Sequence, residues 1–271
     1  MQVTMCGTSS GASTAGPGAA ILLEAAGTRL LLDCGNASGN SIVRALGPGT
    51  APDAILFSHL HSDHVLGLPE LLLRFALEAR RWPPLYGPRG TIAFAGLALG
   101  IAHHLHTNPD REPPPSPPIE ETRPGDDRVI GELRVRSVEV PHAAHLECLA
   151  RRIDWDGGSM VYSGDTNDAP EIMTPLAQGA DVLIHECYSE AARDAFLAIL
   201  PERARAGAGN SLLTTHSRVE TAARIARDAG VKTLVLTHLL EQEDPQHLAS
   251  LAGEIFRGRV IVAHTGLRIE A

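Results

Sequence analysis

The sequence predicts a layered α/β fold in which helices cover β-sheets. Apolar segments of β type alternate with helical segments in both halves of the chain, which is typical of layered folds. Several strands end in a histidine or an aspartate, so that separate strands present ligand-type side chains at their ends. The chain has 271 residues, of which 44% are hydrophobic, and it fits one large domain or two small ones. We expect a single domain over residues 1–271.

In the first half of the chain, glycine-rich turns separate the expected strands. Leu68–Arg80 is the clearest amphipathic helix, and it stops before Pro83. The other elements expected in this half are helices at Ser41–Leu46 and Gly90–Leu105 and strands at Val3–Met5, Ala19–Glu24, Arg29–Leu32 and Ala54–Phe57.

A proline-rich stretch separates the two halves. Thr107–Pro124 is predicted to be a loop, and we interpret Pro113–Pro118 as a stiff, extended excursion from one domain. A ligand for a proline-binding module is the alternative. Beyond this stretch, Ala169–Gln178 is irregular to helical, and the other expected elements are strands at Val138–Val140, Met160–Ser163, Thr233–Thr237, Val260–Ala263 and Leu267–Ile269 and helices at Ser189–Leu200 and Val219–Ala229.

The segment from Ser58 to His64 places three imidazoles and one carboxylate directly after an apolar run. His59 and His61 are two residues apart, so an extended backbone points both to the same side. Asp63 and His64 follow the strand end, where the chain can turn and direct them to a second point. Such ligands suit zinc or a similar divalent ion, and two neighbouring ions would use them better than one. The alternative is a polar loop that happens to be rich in histidine.

Three further ligand-type residues follow strands. His142, Asp165 and His238 each come at or just beyond the end of an apolar β-type run. Because strands of one sheet can converge at their tips, we expect these side chains to meet the Ser58–His64 segment at one site.

These residues, in this order and spacing, resemble the metallo-β-lactamase superfamily over essentially the whole chain. Further segments resemble its RNase Z-like branch: Cys6–Gly11, Leu31–Gly35, Asp181–Glu186 and Thr215–Ser217. The resemblance implies an αββα sandwich, with two mixed sheets, helices on the outer faces and the metals at the sheet edge. It also implies two divalent ions, zinc first and manganese or iron as alternatives.

The resemblance assigns the ligands to two groups. One ion is expected at His59, His61 and His142. The other is expected at Asp63, His64 and His238. Asp165 is expected to bridge both ions, and the seven predicted ligands are therefore His59, His61, Asp63, His64, His142, Asp165 and His238.

Further roles are predicted around these ligands. Asp63 and His216 are the predicted catalytic residues, and the resemblance suggests that His216 is a general acid or a transition-state contact. The alternative for His216 is a neighbour of a helix cap without a catalytic part. Asp33, His185 and Glu186 are expected to orient ligating histidines, which usually donate a hydrogen bond to an outer carboxylate or carbonyl.

Three histidines outside this set are candidates for the substrate pocket. His145 lies three residues after His142, and His103 and His106 share a face if the helix continues through them. The alternatives are a loop histidine without a role for His145 and a plain exposed helix end for His103 and His106.

The bulk composition limits the classes of binding partner and the cellular compartment that we expect. A formal net charge of -9 argues against nucleic acid, which needs a basic stripe, and Arg151–Arg152 is interpreted as a solvated pair. Four cysteines without a CxxC pair are predicted to be reduced and structural, as in the cytosol. Neither a signal peptide nor an apolar run of transmembrane length is visible, so a cytoplasmic protein without a membrane partner is expected.

We therefore expect a dinuclear hydrolase for a small ester-type substrate: phosphodiesters first, and lactones or carboxylic or sulfate esters next. Only Ala143–Gly164 separates His142 from Asp165, whereas tRNA-processing members of the branch typically carry a long arm there. A tRNA 3′-processing endonuclease is the main alternative, and a non-catalytic metal-retaining binding protein is the other. The sequence leaves the oligomeric state open, with a homodimer as one option.

Overall fold

The computed structural model describes residues 1–11, 13–78, 80–105 and 115–270. Within these ranges the helices are α1 Gly39–Leu46, α2 Ser62–Val65, α3 Leu68–Leu77, α4 Thr91–Leu105, α5 Pro170–Ala177, α6 Glu190–Ile199, α7 Glu202–Thr215, α8 Val219–Ala229 and α9 Pro245–Ile255. The strands are β1 Gln2–Gly7, β2 Ala20–Ala25, β3 Thr28–Leu32, β4 Ala54–Leu56, β5 Leu85–Gly87, β6 Ile119–Glu121, β7 Asp127–Ile130, β8 Leu133–Glu139, β9 Leu149–Trp155, β10 Gly158–Tyr162, β11 Val182–Glu186, β12 Thr233–Thr237, β13 Arg259–Val262 and β14 Arg268–Glu270.

The strands form two seven-stranded sheets, in the orders β14-β1-β2-β3-β4-β5-β6 and β13-β12-β11-β10-β9-β8-β7. Each sheet is mixed. In the first, the pairs from β14 to β3 are antiparallel and those from β3 to β6 are parallel. In the second, the pairs from β13 to β10 are parallel and those from β10 to β7 are antiparallel.

Three apolar layers hold the sheets and helices together. Between the sheets, residues such as Met5, Leu32, Tyr162 and Ile184 form one buried cluster. A second cluster packs α1, α3 and α4 on the outer face of the first sheet, and a third packs α5, α8 and α9 on the second. Alternate residues of each buried strand therefore serve two different layers, as the period of two requires. The predicted αββα sandwich is the observed fold.

Several elements differ from the sequence-based expectation. The predicted loop Thr107–Pro124 contains β6, which extends the first sheet after the prolines, and residues 106–114 lie outside the described part of the chain. Strands β5, β7 and β9 and helices α2, α7 and α9 are not among the expected elements. Helix α7 has no buried residue and therefore lacks the apolar stripe by which a surface helix is normally predicted.

Arg151 is the largest correction in the interior. The prediction that Arg151–Arg152 is a solvated pair is wrong for Arg151, which is only 1% exposed. Its guanidinium donates hydrogen bonds to Ser137 Oγ at 2.7 Å and to the carbonyl oxygen of Phe57 at 2.8 Å. Burial lowers the pKa of Arg151 to about 10, with the Asp33 carboxylate opposing that shift, so the side chain stays charged at neutral pH. This buried cation ties the second sheet to the segment that carries the first histidine motif.

All four cysteines are free and buried, and burial raises their thiol pKa. In the described ranges, none of the helices has the length and apolar character needed to cross a membrane.

Candidate metal centre and active site

The seven predicted ligands meet at one edge of the sandwich. His59 and His61 follow β4, Asp63 and His64 lie on α2, and His142 follows β8. Asp165 follows β10 and His238 follows β12, which belong to the second sheet together with β8. Their ligand atoms form two groups, each within 4.8 Å, made up of His59, His61, His142 and Asp165, and of Asp63, His64, Asp165 and His238. The sheet topology thus brings together residues from four separate parts of the chain.

The first group is a set of three converging imidazole nitrogens. His61 Nδ1 lies 3.1 Å from His59 Nε2 and 3.0 Å from His142 Nε2. Burial lowers the pKa of all three rings, for His142 to about 4, so the imidazoles are neutral at physiological pH, the form in which a metal ion binds them. Nitrogens about 2.0 Å from one zinc ion lie at such separations from each other. The group therefore has the donors and the spacing that a zinc ion needs.

The second group combines two imidazoles with a carboxylate. His238 Nε2 lies 3.0 Å from Asp63 Oδ2, and His64 Nε2 lies 3.6 Å from the same oxygen. Burial by itself raises the pKa of Asp63. The hydrogen bond with His238 and the charge of His64 together lower this pKa by more than burial raises it, so the net shift is downward. Asp63 is therefore an anion with an oxygen available for a cation.

Asp165 lies between the two groups. Its Oδ2 is 3.7 Å from His59 Nε2 on one side and 3.3 Å from His238 Nε2 on the other. Its Oδ1 is 3.2 Å from His64 Nε2. A carboxylate that faces both groups can offset the repulsion between two neighbouring dications.

Two buried atoms here have no hydrogen-bond partner among the described residues. They are His64 Nε2 and Asp165 Oδ1, which lie 3.2 Å apart without the geometry of a hydrogen bond, on side chains that are 0% and 2% exposed. Buried polar atoms are normally satisfied, so an orphaned pair points to a missing ligand between them. The donor set and this orphaned pair both fit divalent metal ions.

Asp33 holds the first histidine motif in place. Its carboxylate accepts hydrogen bonds from Ser58 N and Ser58 Oγ, both at 2.7 Å, and from the Tyr162 hydroxyl at 2.7 Å. It also lies 2.8 Å from His64 Nδ1, which must donate because a carboxylate only accepts. Ser58 Oγ lies 3.0 Å from His59 Nδ1. This network fixes the tautomers that direct Nε2 of both histidines into the site.

Ser58 and Tyr162 were not predicted from the sequence. Ser58 lies directly before the histidine motif, which is a signal that could have found it. Tyr162 comes from the opposite sheet, and only the packing of the two sheets brings its hydroxyl to Asp33.

A backbone carbonyl orients His142. Its Nδ1 lies 2.6 Å from the oxygen of Thr215, the last residue of α7, and must donate there. The lone pair of Nε2 is then free for the site. The unpredicted helix α7 thus ends at a residue that positions a predicted ligand.

His216 and Glu186 form a partly buried ion pair beside the two predicted ligand groups. His216 Nδ1 lies 2.9 Å from Glu186 Oε2, and the ring stacks on His238 with centroids 5.3 Å apart. Burial by itself lowers the pKa of His216, but the Glu186 charge and hydrogen bond raise it to about 9. Glu186 Oε1 also accepts from Thr166 N at 2.8 Å. The raised pKa favours a protonated ring at neutral pH, and among the described residues the Nε2–H of His216 has no hydrogen-bond acceptor.

His185 differs from its predicted role. It follows Ile184 and precedes Glu186 on β11, so its side chain points to the opposite face from theirs. Its Nδ1 lies 2.7 Å from the Glu186 carbonyl oxygen. Within the described ranges no hydrogen bond joins it to any of the seven predicted ligands, so the structure does not support an orienting role for His185.

The three histidines predicted to line the substrate pocket lie in different places. His145 is exposed and lies near the site, with its ring centroid 6.1 Å from that of His61. His103 instead packs edge-on against Trp82, with centroids 4.9 Å apart, in the outer helical layer of the first sheet. His103 is thus not a wall of the site. His106 lies outside the described residues.

A cavity of about 170 Å³ opens onto the site. Predicted residues on its wall include Asp63, Asp165, Glu186, His216 and His238. The walls that were not predicted individually are Ser10, Gly11, Cys187, Tyr188, Leu212 and Leu240. Of these, only Ser10 and Gly11 belong to a segment that the sequence had marked, the glycine-rich turn after the first strand.

Comparisons with known proteins agree with this geometry. Residues 28–239 match the family model described as the Beta-lactamase superfamily domain. A protein named Ribonuclease Z from Mycobacterium bovis (strain BCG / Pasteur 1173P2) is 30% identical over 291 residues, covering 100% of this chain and 98% of the relative.

Two solved structures share the fold. The metallo-beta-lactamase fold protein YhfI from Bacillus subtilis has a TM-score of 0.75 at 23% identity and covers 99% of both chains. The short form of human tRNase Z has a TM-score of 0.70 at 22% identity, covering 100% of this chain and 99% of that one. The name of the bacterial relative runs against the expectation that nucleic acid is not a partner.

Proposed function

Because the chain belongs to the RNase Z-like branch of the metallo-β-lactamase superfamily and is a metal-dependent hydrolase, we propose that it cleaves a phosphodiester bond of RNA, at the 3′ side of precursor tRNA. One observation carries the proposal: Asp165 faces two ligand groups beside the protonated His216. This arrangement suits hydrolysis of a phosphodiester. The full-length similarity to a protein named Ribonuclease Z favours RNA as the source of that bond.

The ligand roles are part of the proposal. His59, His61 and His142 would hold one zinc ion, and Asp63, His64 and His238 would hold the second. When bound there, zinc would activate water as a nucleophile near neutral pH and polarise a phosphoryl oxygen. Asp165 keeps the two groups together, and the Asp33 network keeps the rings of His59 and His64 in the required tautomers.

His216 donates the proton that the leaving oxygen needs. Its Nδ1–H is engaged by Glu186, so the proton that can be transferred is the one on Nε2. Glu186 keeps the ring charged before transfer, because the ion pair raises the pKa of His216. General acid catalysis of this kind contributes about 10² to 10⁴ in rate. Asp63 acts as a ligand here, and no separate proton-transfer role is needed for it.

We favour RNA over the small ester substrate expected from the sequence for two reasons. The relatives named Ribonuclease Z cover nearly the whole chain, and a net charge describes the average surface but not the site. Near the site, Arg89 is exposed, and its backbone N–H donates to Glu147 Oε1 at 3.1 Å, two residues from His145. In the described part of the chain its guanidinium has no ion-pair partner, so it is free to contact a phosphate of the nucleic acid.

A small phosphodiester is the second candidate. The cavity measures about 170 Å³, and only Ala143–Gly164 connects His142 to Asp165, without the arm that the resemblance associates with tRNA binding. Both observations favour a compact substrate.

A single assay decides between these candidates. Purified protein with zinc or manganese is incubated with a precursor tRNA that carries a 3′ trailer, and separately with bis(p-nitrophenyl) phosphate and a cyclic nucleotide. The proposal expects cleavage of the precursor at one position, lost in Asp165→Ala. Turnover of the small diesters with an intact precursor would reject RNA and favour the second candidate.

A further inference from the structure

A second polar cavity lies on the outer face of the first sheet, away from the metal ligands. It has a volume of about 180 Å³ and lies between α1, β1 and the β13–β14 loop. Arg44 and Ser41 come from α1, Thr4 from β1, and Thr265 and Arg268 from the chain around the loop. Thr4 and Arg268 face each other directly in the antiparallel pair β1–β14, so their side chains lie on the same face.

The polar groups of this cavity lack a partner in the described part of the chain. Within the described ranges, no hydrogen bond or ion pair engages the guanidinium groups of Arg44 and Arg268 or the hydroxyl groups of Thr4, Ser41 and Thr265. Thr4 is only 5% exposed, whereas Arg44, Thr265 and Arg268 are open to solvent and to a ligand. Most other arginines of this acidic chain make ion pairs or hydrogen bonds, as Arg29, Arg74 and Arg134 do.

The cavity wall carries positive charge and no negative charge. None of the residues that line it is a carboxylate. Cys6 contributes a thiol, and burial raises its pKa to about 12, so it is neutral. Two guanidinium groups with three hydroxyl donors form a set that suits a tetrahedral oxyanion, because guanidinium groups bind phosphate oxygens through several hydrogen bonds.

The loop after β1 lines the active-site cavity and approaches a residue of this second cavity. Ser10 and Gly11 line the cavity at the metal ligands. A few residues on in the same loop, a side chain at Gly16 would meet Ser9 Oγ at 3.0 Å and Thr265 Oγ1 at 3.9 Å. Thr265 lines the cavity that contains Arg44 and Arg268, so the loop that lines the active-site cavity also lies next to a residue of this one.

We propose that the cavity formed by Thr4, Ser41, Arg44, Thr265 and Arg268 binds a phosphate group. In the working enzyme this is a backbone phosphate of the RNA at a distance from the cleaved bond, a statement that rests on the proposed function. Such a contact adds binding energy and fixes the position of the RNA without taking part in the chemistry.

The first test measures inorganic phosphate binding by calorimetry on the metal-loaded protein. Arg44→Ala/Arg268→Ala is compared with Arg81→Ala/Arg259→Ala, which removes two exposed arginines that line neither cavity. We expect wild type and control to share a binding event that the first double variant loses or shows at least about tenfold weaker. Equal binding in all three proteins would overturn the site. Circular dichroism verifies that each variant is folded.

The second test identifies the source of the phosphate. For precursor tRNA, Arg44→Ala/Arg268→Ala should raise KM about tenfold, leave kcat unchanged and reduce the slope of log affinity against log salt by about one or two. Turnover of bis(p-nitrophenyl) phosphate should not change, because that substrate cannot reach both cavities. Loss of phosphate binding with an unchanged KM for RNA would leave a site for free phosphate and reject the RNA contact. If neither wild type nor the two double variants cleave RNA, the proposed function fails. Calorimetry with inorganic phosphate still decides whether the phosphate site exists.

Discussion

Asp33 Oδ2 lies 2.8 Å from His64 Nδ1, although the two residues are 31 positions apart in the chain. Both side chains are 0% exposed, and the same carboxylate also engages Ser58 and Tyr162. Asp33 itself has a positive φ of 60°, a backbone conformation that non-glycine residues adopt rarely and at a cost. The surrounding hydrogen bonds offset that cost. One buried carboxylate thus positions the predicted metal ligands at two points.

Replacement of Asp33 by asparagine should weaken metal binding. The neutral amide cannot hold the Nδ1–H tautomer of His64 as strongly, and partners of this kind are worth about 10- to 100-fold in metal affinity. A zinc titration against a chromogenic chelator measures the change. Glu70→Gln, which alters an exposed carboxylate paired with Arg74, is the control. An unchanged affinity in Asp33→Asn would contradict the role of the network.

Asp165→Ala should lower metal content and activity together. In wild type, metal analysis of protein prepared without chelator should find about two ions per chain, because two ligand groups share this carboxylate. The variant should retain fewer ions and lose turnover. Two ions per chain with near wild-type turnover in Asp165→Ala would refute the shared-carboxylate assignment.

Removal of the metal should lower the melting temperature. The ligand groups place the buried carboxylates of Asp63 and Asp165 close together, and without cations part of that charge is uncompensated. Ligands that bind only the native state stabilise it by mass action, by about 2.7 kcal/mol at a hundredfold excess over Kd. Calorimetry of chelated and zinc-restored protein measures the difference. Identical melting temperatures for the two samples would indicate that the site binds no zinc at the zinc concentration used.

His216→Ala should reduce kcat without loss of metal. Removal of the proton donor should cost about a hundredfold or more. Glu186→Gln should act in the same direction, since it removes the charge that keeps His216 protonated. His247→Ala, at an exposed position, is the matched control. Metal loss in His216→Ala would make the residue a ligand, and full activity would leave it with a structural role only.

Arg151→Met should destabilise the fold. The substitution leaves the carbonyl of Phe57 and the hydroxyl of Ser137 without their donor in a dry interior. We expect the free energy of unfolding to fall by about 3 kcal/mol. Urea denaturation compares it with Arg136→Met, an arginine on β8 whose side chain is 45% exposed. A loss no larger than that of the exposed control would show that the buried hydrogen bonds contribute little.

Local pattern was sufficient for the residues whose position depends on their own strand. His59, His61, Asp63 and His64 follow an apolar run, and His142, Asp165 and His238 follow three others, so their meeting at a sheet edge could be predicted before the structure was known. The helix Val219–Ala229 was also placed correctly, because it has an apolar stripe and a glycine at its end, Gly230, in the left-handed conformation.

Local sequence pattern gave wrong or missing predictions where the location of a side chain depends on its strand face or on the layer in which it packs. His185 and Glu186 are adjacent, yet only Glu186 reaches the site, because successive side chains on a strand point to opposite faces. Helix α7 was missed because it has no apolar stripe, and its last carbonyl nevertheless orients His142. His103 was assigned to the pocket, but packing against Trp82 places it in a helical layer.

The order of strands and helices along the chain is therefore enough to predict the fold class and the meeting of the seven candidate ligands at one edge. The partners that orient these side chains follow only from tertiary packing. Tyr162 reaches Asp33 across the sandwich, Arg151 reaches Phe57 from the other sheet, and Arg44 and Arg268 converge on one cavity from distant segments. Such contacts depend on how two sheets pack and twist against each other, and no local periodicity records the distance between residues that only packing brings together.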